Sequence, residues 1–155
     1  MHEIFLPELT KVALKAENKE QLFKEMVDHF CLQISKNHNK EILDALWERE
    51  NKMSTGIRTG VAVPHGKIKV LDRVYGVLGT SQKGISYDAL DEQPVHLVFM
   101  ILTPPKETES HLLILKRIAE LLKDPQFYEE LLSQTDPKGA AQILKKFEEE
   151  LIGSL

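Results

Sequence analysis

His65 stands within Thr59-Gly60-Val61-Ala62-Val63-Pro64-His65-Gly66-Lys67-Ile68, an apolar run interrupted by proline. Val61 to Val63 predicts a short buried strand. Pro64, with no backbone N–H and a fixed φ, is expected to stop it. That places His65 at the strand's end, with Gly66 behind it leaving room for a close approach. A neutral imidazole, with an ordinary pKa of about 6.5, is a nucleophile near neutral pH. It can attack phosphorus to form a phosphoramidate, which stays labile because the ring nitrogen leaves when a second acceptor attacks. Histidine therefore suits a relay, whereas serine would hold phosphate as a far more inert ester.

Phosphoryl transfer asks a protein mainly for in-line positioning and for charge compensation on the phosphoryl oxygens. Arg49 is a candidate for the compensation, because a guanidinium holds two oxygens at once. His111 opens a predicted helix, where free N–H groups and the macrodipole favour an anion. Each residue also has a plainer reading. His65 is then a structural histidine, Arg49 a helix-surface residue between Glu48 and Glu50, and His111 a polar residue of a first turn.

Three ordered blocks carry a family resemblance: Glu48-Arg49-Glu50-Asn51 with Ser54-Thr55-Gly56-Ile57 and Gly60 to Gly66; Ala89 to Phe99; and Ser110-His111-Leu112. Together they resemble the enzyme IIA proteins of the phosphotransferase system, in the fructose/mannitol and nitrogen-regulatory branch. The resemblance spans nearly the whole chain. It implies an α/β fold, a single-domain mixed β-sheet flanked by α-helices on both faces. It implies that His65 is the phosphorylated nucleophile, that Arg49 lies beside it, and that His111 supports the phosphoryl group. The implied donor is phosphorylated HPr. The implied acceptor is a cysteine of an enzyme IIB domain, or else phosphorylation controls a regulatory target protein. Many relatives have glycine, often with asparagine, where this chain has Arg58-Thr59. Two readings of Arg58 stand: a second cation beside the site, or a solvated loop residue.

The 155 residues suit one domain spanning 1–155, with enough chain to bury a core. A net charge of −4 gives no long-range attraction to nucleic acid or anionic membranes. No apolar run approaches the roughly 18 residues of a membrane span, and the N-terminus does not read as a secretory signal. Cys31 is the single cysteine, which excludes an internal disulfide and suits a reducing cytoplasm. It falls on an apolar stripe and is expected to be buried. Metal spacing is missing: no His pair at i, i+4, no cysteine cluster and no loop of alternating carboxylates. Gly56 to Gly60 matches neither GxGxxG nor a Walker ending, so no cofactor is expected. His2, His29, His38 and His96 are expected to be non-functional.

The elements that must position these residues follow from periodicity. A strand is expected at 12–16. A helix is expected at about 19–36, capped by Asn18 and burying Leu22, Phe23, Met26, Val27, Phe30 and Ile34. A second helix covers about 40–50 and buries Ile42, Leu43 and Leu46. Residues 51–60 read as a polar loop. Strands follow at about 60–63, 74–80 and 95–102, the last nearly continuous in apolar residues as a central strand would be. Thr103-Pro104-Pro105 ends it. Helices are expected at about 110–123, 125–132 and 136–151, with Asp136 as a cap and Lys145 to Glu150 as a solvated face.

Overall fold

The computed structural model describes residues 1–155. Two short 3-10 turns, His2–Ile4 and Pro7–Leu9, precede the helices α1 (Lys19–Gln33) and α2 (Asn39–Glu50). Five strands follow: β1 (Gly56–Arg58), β2 (Val61–Ala62), β3 (His65–Lys67), β4 (Tyr75–Ile85) and β5 (Val95–Thr103). The helices α3 (Thr108–Leu121), α4 (Pro125–Leu132) and α5 (Pro137–Gly153) complete the chain. No helix is long and apolar enough to cross a membrane.

The apolar run of β5 sits at the centre of the sheet because it pairs along both edges. β4 runs antiparallel on one edge. On the other, β2 and β3 run parallel to it in a single register: Val61 faces Leu97 and Ala62 faces Val98, then His65 faces Ile101, Gly66 faces Leu102 and Lys67 faces Thr103. Pro64 does end β2 as expected, but it does not end the pairing along β5. It interrupts the ladder, yet its carbonyl accepts from Ile101 N at 3.0 Å and pairing resumes at His65. Proline lacks only the donor, so its acceptor still serves the sheet. The expected loop at 51–60 contains β1, which folds back antiparallel on β2 through Gly60 at φ +81°.

Alternation along β5 divides the core into two layers. Val98, Met100 and Leu102 join Phe23, Met26, Phe30 and Leu46 under α1 and α2. Leu97, Phe99 and Ile101 join Ile114, Ile118, Phe127 and Leu144 under α3, α4 and α5. The result is a mixed sheet with helices on both faces.

The caps behave as read. Asn18 accepts from Gln21 N at 2.9 Å and Asp136 from Gly139 N at 2.8 Å. The strand expected at 12–16 does not form. Lys11 and Leu14 bond to β4 at single points, while Ala13 takes φ 58°, a left-handed conformation that breaks a ladder. α1 ends at Gln33, leaving Ile34 exposed as its C-cap, and Leu43 is only partly buried. The solvated face expected at 145–150 is interrupted by Glu148. This carboxylate is buried against the Met1 amino group at 2.9 Å and His2 Nδ1 at 2.6 Å.

Gly66 sets how closely α2 approaches β3. A Cβ there would lie 3.2 Å from the Ala45 carbonyl carbon and 3.3 Å from Leu46 N, both backbone atoms that cannot rotate away. Gly66→Val is expected to push α2 outward and destabilise the fold by about 1–3 kcal/mol, the usual cost of overpacking. Urea unfolding of the two proteins measures it; an unchanged midpoint would mean that α2 has slack at this contact.

Candidate functional site

The same alternation that layers the core aims the site. His65 pairs with Ile101, whose side chain faces α3, so the imidazole also lies on the α3 side. Gly66 faces α2. Arg49, in the last turn of α2, reaches across the open edge of β3. Its Nε–H donates to His65 Nε2 at 3.2 Å and its Nη1 donates to the Met53 carbonyl at 2.8 Å. An Arg Nε–H can only donate, so Nε2 must accept and the ring proton lies on Nδ1. Nδ1–H donates to the Val63 carbonyl at 2.9 Å. His65 thus holds its lone pair on Nε2, beside a guanidinium.

His111 comes from the first part of α3. Its ring centroid lies 4.8 Å from that of His65, the planes tilted by 51°. The helix begins two residues earlier than expected, and the His111 N–H is already bonded to the Glu107 carbonyl at 3.1 Å. The residue therefore offers its side chain, and not a free backbone donor. Its Nδ1 lies 3.3 Å from Thr103 Oγ1. Ala45, Glu48, Lys52, Gly66 and Lys67 complete the cleft around Arg49, His65 and His111. Three cations thus face one carboxylate, which suits an anion.

Both imidazoles are held neutral. Burial lowers the His65 pKa most, and Arg49 adds to that, against the Val63 carbonyl and Glu50, which raise it. Burial pushes His111 down to about 4, helped by His65, Lys67 and Arg49. A histidine that stays neutral when folded but protonates when unfolded makes the unfolded state bind more protons. Acidification from about pH 6.5 to 4 therefore removes stability, and the loss ends below the folded pKa.

Behind Arg49, Glu50 turns into the protein. Its carboxylate accepts from Thr55 N at 2.8 Å, Thr55 Oγ1 at 2.5 Å, Tyr87 OH at 3.1 Å and Lys19 Nζ at 3.0 Å. Burial, with the Glu50 charge next, raises the Tyr87 pKa far above its ordinary value. A buried, fully bonded ion pair contributes little net stability but resists rearrangement. It fixes the end of α2, and with it Arg49. The sequence reading had no signal for this cluster, because Lys19 and Tyr87 are remote in the chain. Thr103 and Lys67 were also missed; their signal was register, since both follow from the pairing of β3 with β5.

Arg58 is exposed, as the solvated reading has it, and stands on β1 away from the His65 cleft, so it is not a second cation there. Its Nη1 donates to the Leu122 carbonyl at 2.8 Å, capping the end of α3 away from the cleft. His96 bonds the Ser81 carbonyl, His29 the Glu8 carbonyl and His38 the Ser35 hydroxyl, each at 2.9 Å. Cys31 is buried, and burial raises its thiol pKa. No group of three or more His, Cys, Asp or Glu side chains is placed to hold a metal ion.

The pH argument has a direct check. Urea midpoints should fall between pH 7 and pH 4.5 by more in the wild type than in His111→Gln, which has no imidazole there to protonate on unfolding. Equal losses would show that His111 titrates normally in the folded protein.

The geometry has relatives. A nitrogen regulatory protein from Bradyrhizobium diazoefficiens is 30% identical over 142 residues, covering 92% of each chain. The fructose-specific EIIABC component of the phosphotransferase system of Bacillus subtilis is 30% identical over 144 residues, which are 93% of this chain and 23% of that one. The crystal structure of nitrogen regulatory protein IIA-Ntr from Neisseria meningitidis matches with a TM-score of 0.83 at 26% identity, covering 92% of this chain and 97% of that one. The family model described as phosphoenolpyruvate-dependent sugar phosphotransferase system, EIIA 2, matches residues 3–147. A match over that length shows that the chain belongs to the EIIA 2 family of this phosphotransferase system.

Proposed function

We propose that this protein is a phosphohistidine carrier that accepts a phosphoryl group from phosphorylated HPr on His65 Nε2 and passes it to a cysteine of an enzyme IIB domain in sugar uptake. One observation carries the reading: hydrogen bonds to both ring nitrogens leave Nε2 as the unprotonated one, in a cleft lined by cations.

The step follows from that arrangement. The Nε2 lone pair forms a bond to phosphorus as the bond from phosphorus to the donor's ring nitrogen breaks, and that electron pair returns to the donor imidazole. His65 keeps its Nδ1–H on the Val63 carbonyl throughout. Arg49 Nε–H occupies the lone pair at rest, so the guanidinium shifts from nitrogen to phosphoryl oxygens as phosphorus arrives. His111 supports those oxygens, and Lys52 and Lys67 add positive potential. Exposed Leu112, Leu113 and Met53 lie next to His111 and Arg49 in the chain and offer apolar contact to a docking protein.

A second reading has its own support. The nitrogen regulatory relative aligns along 92% of both chains. In that reading the phosphorylation state of His65 controls binding to a target protein, and no sugar is phosphorylated. Both readings share the carrier step and place the protein in the cytoplasm, where HPr is met.

The test is labelling with phosphoenolpyruvate, enzyme I and HPr. Wild type should acquire an acid-labile, base-stable label and His65→Ala none. A wild type left unlabelled beside labelled HPr would sink the carrier reading. Arg49→Ala should slow uptake roughly 10²–10³-fold, the range for losing one preorganised donor at a developing charge, with the fold intact. A wild-type rate would remove Arg49 from the site.

A further inference from the structure

Thr103 ends β5 opposite Lys67, two residues beyond the partner of His65, and so lies on the α3 face of the sheet. Its side chain is buried, at 1% exposure. Its hydroxyl makes one hydrogen bond, to His111 Nδ1 at 3.3 Å. A buried hydroxyl has a proton to place, and leaving a buried donor unpaired is costly. The satisfied arrangement therefore has the hydroxyl donating to Nδ1. His111 then carries its own proton on Nε2. His65 is the reverse case, because the Val63 carbonyl can only accept and so holds the proton on Nδ1.

The groups facing His111 leave that assignment undisturbed. His65 and Lys67 come from β3 and Arg49 from α2, with Glu48 and Lys52 further along the cleft. None of them hydrogen-bonds Nδ1.

We propose that Thr103 is a positioning residue for phosphoryl transfer: its hydroxyl fixes His111 in the Nε2–H tautomer, so that an N–H faces the phosphoryl oxygens on His65. The proposal rests on the carrier reading of His65. With the opposite tautomer a lone pair would meet those oxygens and repel them. The two histidines are set in opposite tautomers by their backing groups, one to attack and one to donate.

Thr103→Val removes the hydroxyl and keeps the shape, and Thr103→Ser restores it. Long-range proton–nitrogen NMR of the free protein should find the His111 proton on Nε2 in wild type and in Thr103→Ser. In Thr103→Val the ring should titrate at higher pH, because a donor to Nδ1 no longer opposes protonation there. Phosphoryl uptake from phosphorylated HPr should fall roughly 10- to 100-fold in kcat, with KM for HPr unchanged and Thr103→Ser near wild type. A wild-type His111 protonated on Nδ1 overturns the proposal whatever the variants do. So does a Thr103→Val protein with wild-type His111 titration and wild-type kcat. A wild type that takes no phosphoryl group overturns the carrier reading instead, and the NMR of the free protein still decides the Thr103 hydrogen bond.

Discussion

The hydrogen bond from His65 Nδ1 to the Val63 carbonyl, at 2.9 Å, is the constraint on which the site depends. It fixes the tautomer, and so decides which nitrogen can attack. The carbonyl is available because of where the strand lies. Val63 donates its N–H to the Thr55 carbonyl, on the side away from β5, and its own carbonyl points the same way. Beyond Val63 that edge has no neighbouring strand, since β1 pairs only as far as Ala62. Pro64 keeps the next peptide in register through its carbonyl alone. The proline thus sets up an open edge with an unused acceptor, two residues before the ring that needs one.

One strand then serves two helices. His65 and Lys67 face α3, and Gly66 between them lets α2 close on the other side. Arg49 and His111 therefore reach the same imidazole from opposite faces of the sheet. α2 is pinned through Glu50, whose carboxylate gathers Lys19, Thr55 and Tyr87 from three other segments. α3 is tied at its far end by Arg58 and near its start by the Thr103 hydroxyl.

Local signals in the chain were readable and long-range ones were not. Asn18 and Asp136 announce their helices because a cap is a contact within three residues. The run from Val95 to Thr103 announces a central strand because burial on both faces needs apolar residues at every position. Ordered motifs singled out His65, Arg49 and His111 as site candidates, and in the structure the three side chains lie side by side. The segment at 12–16 misled because alternation cannot reveal the left-handed φ of Ala13. Arg58 is exposed as read, but its bond to the end of α3 was not legible, because a loop arginine gives no hint that a helix end lies within reach. Glu148 misled because a charged residue reads as solvated until the fold supplies its partner, here the Met1 amino group.

If His65 carries a phosphoryl group as proposed, the electrostatics of the cleft suit both of the proposed uses. At rest the cleft holds two neutral rings among Arg49, Lys52 and Lys67, with Glu48 the one opposing charge. Holding His111 neutral avoids a further cation in a crowded positive pocket. A phosphoryl group brings roughly −1.5 to −2 charges, which turns the mutual repulsion of those cations into attraction. The same charge favours a proton on His111 and so opposes the lowering that burial and the neighbouring cations impose. The rim near Leu112, Leu113 and Met53 then changes from positive to near neutral while its apolar contacts stay in place. A partner that docks on those contacts senses the difference directly, whether it goes on to take the phosphoryl group or only responds to it.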